Sequence, residues 1–364
     1  MPAPVRTLLT RLPADPDGWR PEGMEGAVAM QMFPLAGRED LVARFAPGAF
    51  RHASCPPLAG EPLAELAAAA RDAQIVIVNE AHDQPLHRWV IRKLGLALAD
   101  RFDTFAAETF SHKALAERMP GRITDALGSY SDEPIFGREL RALDRAEYRF
   151  VAYEIRADQR APQDAPMVDR VVTREEAQAE NLIAEVLDGD PDARILVHVG
   201  YSHALKTAVN NFEREIEWFA ARLKRKTGID PLTISQTHCS LGEEGGNAWD
   251  GLRLADGSGA VEREGAIDRF LAHPPLQFDA GRPAWRRAVG DVEVPVPEAL
   301  RSDDQRVIVE ARAPQDAFDE VPVDRLLLYP GESLPLLLPP GRWLLTAWTG
   351  DGALGDPVVV EAAL

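Results

Sequence analysis

The stretch Ile75-Val76-Ile77-Val78-Asn79-Glu80-Ala81-His82-Asp83 decides how this 364-residue chain is read. Four consecutive β-branched residues mark a strand buried on both faces, as in a parallel sheet covered by helices on each side. Asp83 stands where a helix N-cap belongs and Pro85 falls in the first turn. Leu86, Val90 and Leu94 then recur at four-residue spacing along one helix face. A buried strand running into an amphipathic helix begins a βαβ unit, and an acid and an imidazole lie at the junction.

The alternation continues downstream. Phe105-Ala106-Ala107 and Tyr148–Ile155 predict strands. Thr173 and Glu176 form a T-x-x-E capping box predicted to open a helix through Leu187, closed by Asp188-Gly189-Asp190-Pro191. Arg194–Val199 predicts a further buried strand, followed by one long helix from Ala204 to Lys226 and a strand at Leu232–Ser235. The expectation is an α/β domain over residues 61–240, a mainly parallel sheet flanked by helices. Residues 1–60, punctuated by Pro13, Pro16, Pro21 and Pro34, read as an arm packing on that domain, with a short strand near Ala27–Phe33. Residues 241–289 read as a loop-rich connector with one short helix near Ala266–Leu271. Beyond residue 290, strand-like segments at Val307–Ala311, Arg325–Leu328, Ser333–Leu338, Trp343–Trp348 and Val358–Val360 are divided by Pro-Gly, Pro-Pro-Gly and Gly-Asp-Gly turns. That spacing predicts a small all-β sandwich domain over residues 290–364.

Composition narrows the function classes. Lys and Arg total 40 against 58 Asp and Glu, a net charge of −18, which repels phosphate backbones and anionic lipid and argues against nucleic-acid binding. No apolar run reaches the ~18 residues of a membrane span, so no integral membrane segment is expected. The opening residues lack the apolar core of a signal peptide, which predicts a cytoplasmic protein, or a periplasmic one if an export signal precedes this sequence. Cys55 and Cys239 are too few and too far apart for a disulfide framework or a zinc knuckle, and read as two reduced, partly buried thiols.

The chemistry-bearing residues stand at strand ends. The first strand runs into Glu80 and His82, with His87 further into the helix; the second into Glu108; the third into Glu154. The fourth contains His198 and continues to Gly200-Tyr201-Ser202-His203. The carboxyl ends of parallel strands share one edge, where α/β folds bind ligands, so these residues are expected to converge. Carboxylates and imidazoles together suit a divalent ion or a metal-free base with an orienting neighbour. Taken singly they have plainer readings: a Glu after a strand is often solvated, and His198, inside an apolar strand, reads first as a satisfied core residue. Arg174, Gln178, Asn181 and Glu185 make a helical polar stripe that reads as a solvated face, or, functionally, brings Arg174 and Asn181 into the cleft. Gly200-Tyr201-Ser202-His203-Ala204 also approximates a G-x-S-x-G nucleophile elbow, a minor alternative with Ser202 as nucleophile and His238 or His273 as its base.

Asn79-Glu80-Ala81-His82-Asp83 with His87, then Ala107-Glu108-Thr109-Phe110, then Arg174, Asn181 and Val197–His203 resembles the ChaN-like and erythromycin-esterase-like superfamily, to which the TraB/Tiki group is related. The resemblance covers residues 61–240, and Asn79 departs from it by replacing a glycine. It implies a central site of Glu80, His82, Glu108 and His203 with Arg174 in support, and Glu154 more loosely. The implied function is hydrolysis of an ester or amide bond in a small-molecule or peptide substrate, with water activated directly or on a divalent metal held by Glu80, His82, Glu108 and His203. The alternative implied by the same family is haem or metal binding without turnover. The C-terminal β-sandwich is left as a surface for protein contact.

Overall fold

Seven strands form the central sheet, in the spatial order Arg253–Ala255, Arg269–Ala272, Leu232–Ser235, Ile75–Glu80, Ile195–Gly200, Thr104–Ala107 and Arg149–Ala152. The computed structural model describes residues 1–46, 53–211, 213–241, 251–257 and 265–363. Neighbouring strands run parallel, except that the Arg253–Ala255 edge is antiparallel to Arg269–Ala272. Every residue from Ile75 to Glu80 is buried, and the side chains alternate between two cores. Val76 and Val78 pack with Phe105, Leu196 and residues of the helices Pro85–Leu98 and Pro134–Arg145. Ile75 and Ile77 pack with Val197 and residues of Met167–Leu182 and Phe219–Thr227 on the opposite face. The helices that follow the adjacent strands Ile75–Glu80 and Ile195–Gly200 therefore lie on opposite sides of the sheet. That makes the crevice between their carboxyl ends a topological switch point.

Near the C-terminus the sheets are antiparallel. Val307–Arg312, Asp324–Leu328, Gly341–Thr349, Gly352–Ala353 and Val358–Ala362 form a five-stranded sheet. It shares a core with the pair Val292–Val294 and Leu336–Leu338, through Val294, Val307, Leu326, Leu336 and Leu345. Each strand expected after residue 290 is present.

Elsewhere the structure corrects the sequence reading. The arm is helical, Ala3–Arg11, Gly23–Met32 and Glu39–Phe45, with no strand at Ala27–Phe33. The apolar faces of these helices pack on the outer side of the C-terminal sheet, with Val5, Leu8 and Phe33 against Ile308, Leu327 and Tyr329. Arg306 donates from there to the carbonyls of Leu9, Leu12 and Pro13. The end of the arm, residues 53–58, lies on the α/β part against Cys239, Ser240, Leu254 and Ala255. The helix expected to start at the Thr173 capping box begins at Met167, so Thr173 lies within it and its hydroxyl donates back to the Asp169 carbonyl. The long helix expected from Ala204 is instead a short turn, Tyr201–Ala204, a hairpin of Val209–Asn211 and Arg214–Ile216, and a helix Phe219–Thr227. The segment Ala266–Leu271 leads into a sheet strand, and the short helix is Ala284–Ala288. Cys55 and Cys239 are joined in a disulfide, both buried, where the short parallel pair Ala53–Ser54 and Cys239–Ser240 brings them side by side. The two-thiol reading fails because tertiary pairing, not spacing, places them.

Candidate active site

Four strand ends deliver the site. Glu80 closes the first strand completely buried, and its surroundings explain how a charge survives there. Arg88, on the following helix and equally buried, donates Nε to Glu80 Oε2 at 2.6 Å and Nη2 to Oε1 at 3.1 Å. Nδ1 of His82 donates to Oε1 at 2.9 Å, and His198 Nε2 lies 3.1 Å from Oε2. Burial pushes the Glu80 carboxyl upward, but Arg88 and His198 outweigh it and hold the group well below the usual range. Arg88 is held from behind by Glu133, which also caps the helix Pro134–Arg145 through the amides of Ile135 and Phe136.

His82 is partly exposed, between the rings of Tyr130 and Tyr201, and its Nε2 lies 3.6 Å from Glu108 Oε1. Glu108, from the end of the second strand, accepts from the Tyr130 hydroxyl at 3.0 Å. Its Oε2 lies 3.4 Å from His203 Nε2 and 3.7 Å from Arg174 Nη2, yet has no hydrogen-bond partner of its own although buried. Burial raises this carboxyl, but His203, Arg174 and His82 together bring it below its ordinary value. Across it, Nδ1 of His203 donates at 2.8 Å to Glu175, which also accepts the amide of Phe219 at the start of its helix. Burial works against charge on His203, but Glu175 and Glu108 raise it above the usual histidine range.

Arg174 and Glu154 form the cleft wall. Arg174 Nε donates to Glu154 at 2.9 Å, Gln178 donates to the same carboxylate at 3.0 Å, and Arg174 Nη1 reaches His203 Nε2 at 3.3 Å. Asn181 donates to the carbonyls of Tyr153 and Glu154 and so fixes the chain there. Of the polar stripe of that helix, Arg174 lines the cleft, while Gln178 and Asn181 are buried behind it against Glu154 and the backbone of Tyr153 and Glu154. Only Glu185, paired with Arg156, lies at the exposed end.

Two backbone features set the spacing. Gly200 admits no side chain: a Cβ there would lie 2.6 Å from His82 Cε1 and 2.8 Å from Glu108 Oε1. Tyr201 follows with φ of 37°, an uncommon backbone for a bulky residue. Asn79 holds it, donating to the Tyr201 carbonyl at 2.7 Å and to Thr237 at 2.8 Å while accepting the Gln236 amide. Asn79 therefore ties the Tyr201 turn to the neighbouring strand end.

Not all expected residues take part. His87 is buried away from the cleft, accepting the Ala81 amide and lying against the His273 ring. His198 stands behind Glu80 rather than in the cleft, between Glu80 and Glu139, and burial pushes Glu139 up to about 7. The elbow reading of Ser202 lacks its context. The strained residue is Tyr201, a hairpin rather than a helix follows, and the two histidines named for it are engaged elsewhere, His238 with Ser235 and His273 with Gln236. Arg88, Tyr130, Glu175 and Glu139 escaped sequence reasoning.

The fit to a metal or haem is poor. Among the described residues no group of three or more His, Cys, Asp or Glu side chains is placed to hold an ion. Several of the donors are already used: Glu80 by Arg88 and His82, Nδ1 of His203 by Glu175, and the third cleft histidine, His112, by the Glu154 carbonyl at 2.7 Å. Among the described residues no helix is long and apolar enough to cross a membrane.

No family model and no curated protein matches the chain. Among solved structures, it is similar to RRSP, a MARTX toxin effector domain from Vibrio vulnificus CMCP6, at 16% identity and a TM-score of 0.34, covering 49% of this chain and 36% of that one. It is also similar to the type III effector HopBA1, at 15% identity and a TM-score of 0.35, covering 61% of this chain and 97% of that one. The chain thus spans about a third of the length of RRSP.

Proposed function

We propose that the chain is a hydrolase of ester or amide bonds, of the ChaN-like and erythromycin-esterase-like kind, that activates water directly with its Glu and His side chains. The observation that carries the reading is the unpartnered, buried Oε2 of Glu108, ringed by His203 and Arg174 at 3.4–3.7 Å with His82 Nε2 at 3.6 Å from the other oxygen. A buried carboxylate oxygen without a donor is costly unless something in the cleft supplies one, and a water or a substrate N–H does so.

The two histidines are set up for opposite tasks. Glu80, pinned by Arg88, accepts the hydrogen bond of His82 Nδ1, so that Nε2 is the ring nitrogen that faces the cleft and serves as the base. Water held between His82 and Glu108 loses its proton to that nitrogen as it attacks the carbonyl carbon. His203, whose protonated form Glu175 and Glu108 favour, and Arg174 face the same point and stabilise the oxyanion; His203, when protonated, gives its proton to the departing group. Lys113, Arg156, Arg160 and Arg170 also line this cleft of about 1520 Å3, opposed there by Glu108 and Glu154, which favours a substrate carrying negative charge.

The test is a panel of carboxylic esters, lactones and peptides, each with and without a chelator. Turnover that survives the chelator and falls at least ~100-fold in both Glu108→Gln and His82→Asn supports the reading. Turnover retained by both variants, or abolished by Ser202→Ala alone, overturns it.

A further inference from the structure

A second cavity, of about 660 Å3, lies between the helices Pro85–Leu98 and Pro134–Arg145 and the C-terminal sheets. It has the size of a small-molecule site and shares no lining residue with the Glu108 cleft. Arg138, Arg141 and Arg145 recur at three- and four-residue spacing on one helix, and Arg92 reaches the same wall from its neighbour. Four guanidiniums meet here in a chain whose net charge is −18.

The carboxylates nearby do not neutralise them all. Asp291 is shared by Arg138 and Arg286, Asp144 is taken by Arg118 at 2.7 Å and the Gly121 amide, and Glu320 faces Arg122 at 3.4 Å. Asp316 accepts the Ala313 amide at 3.3 Å, and it and Glu320 act on Arg141 only beyond ion-pair distance, too weakly to offset the burial that holds Arg141 below its ordinary basicity. Arg92, Arg141 and Arg145 form no ion pair among the described residues. Nε of Arg92 and Nη1 of Arg141 are buried with no acceptor at all. Burial and a neighbouring arginine hold Arg92 below its ordinary basicity, the mark of a cation lacking its counter-charge. The cavity is also lined by three indoles: Trp89, Trp285 and Trp343, the first two with ring centroids 6.4 Å apart.

Buried N–H groups without acceptors beside flat apolar walls describe one class of ligand. We propose that this cavity binds a phosphate monoester of an aromatic or heteroaromatic group, the phosphate on Arg92 and Arg141 and the ring against Trp89 and Trp343. Guanidiniums match phosphate oxygens two at a time, and indole faces accept a flat ring. The proposal is independent of the hydrolase reading, since no residue is shared.

The experiment is calorimetric titration of the full chain with adenosine monophosphate, phenyl phosphate and adenosine, alongside thermal melts. Both phosphates are expected to bind and raise Tm, with adenosine at least ~10-fold weaker. Arg92→Gln with Arg141→Gln is expected to weaken the phosphates ~10-fold or more; its unliganded Tm is read first, because the change relieves buried charge but also removes the bond from Arg141 Nη2 to the Val321 carbonyl. Arg145→Gln, at the exposed end of the helix, tests the same charge without a buried change and is expected to weaken them several-fold. Glu108→Gln is expected to change none of this. Absence of binding by both phosphates at ~10 mM, or undiminished affinity in a folded Arg92→Gln/Arg141→Gln or Arg145→Gln protein, overturns the proposal.

Discussion

His198 gives the sharpest test of the buried network behind the cleft. Its ring is enclosed, Nε2 3.1 Å from Glu80 and Nδ1 3.4 Å from Glu139. Burial works against charge on the ring, yet the two carboxylates raise its pKa to about 10 from an ordinary 6.5. A raised histidine pKa means that the folded state binds the proton more tightly than the unfolded chain. The resulting stabilisation is fully present below pH 6.5 and is lost as pH rises towards 10. Over three and a half units, at about 1.4 kcal/mol each, it reaches at most about 5 kcal/mol. Glu139, raised to about 7, contributes a slope of the same sign below neutrality, so the scan belongs above it. Urea unfolding at half-unit steps from pH 7.5 to 10 should show stability falling by about 1 kcal/mol per unit, and His198→Asn should flatten that slope. The variant should be several kcal/mol less stable than the parent at pH 7.5 and nearly equal to it at pH 10. Equal slopes in the two proteins would refute a charged His198.

Three further predictions follow from the geometry. Gly200→Ala places a methyl 2.6 Å from His82 and 2.8 Å from Glu108; we expect a cost of about 1–3 kcal/mol and a ~100-fold loss of hydrolysis, read by thermal melts and the ester panel, and wild-type turnover would count against the site. Arg88→Met leaves Glu80 and Glu133 buried without their cation and should cost about 3–5 kcal/mol in urea unfolding, part of it recovered in the double variant with Glu80→Met; a cost below ~1 kcal/mol would contradict the pairing. The unfolded, unreduced protein should show no titratable thiol. Replacing Cys55 and Cys239 by serine should then lower stability by up to about 5 kcal/mol, given their separation of 184 residues, and two free thiols would dismiss the bond.

The sheet and the core of the cleft were legible because both rest on local signals. Ile75–Val78 declares a two-sided strand, and an acid or imidazole after each parallel strand must share an edge with the others. Glu80, His82, Glu108, Glu154 and His203 meet for that reason, and Arg174 joins them from the helix Met167–Leu182. What stayed hidden depends on tertiary placement. Arg88 and His87 are adjacent on one helix, and only the packing of that helix on the sheet decides that Arg88 enters the site while His87 turns to His273. Tyr130 arrives from a loop, and Glu175 reads as one more charge beside Arg174. The Val209–Asn211 and Arg214–Ile216 hairpin escaped because an unbroken helix was expected from Ala204 to Lys226. The arm misled for a different reason. Its prolines read as irregular structure, whereas Pro4 and Pro34 stand at the start of helical turns, where a missing N–H costs nothing.

The seat of that arm has a kinetic corollary. Arg38 donates to the Leu327 carbonyl 289 positions away, and Val5, Leu8 and Phe33 find their apolar partners on strands made equally late. At about 5–20 residues per second, a ribosome needs roughly 15–60 s between making the first helices and making the surface that covers them. During that interval their greasy sides stand open to holdase chaperones and to neighbouring nascent chains, while the parallel sheet between them assembles. Yield in cells should therefore respond more to softening those helices, or to chaperone supply, than to changes of similar size inside the sheet.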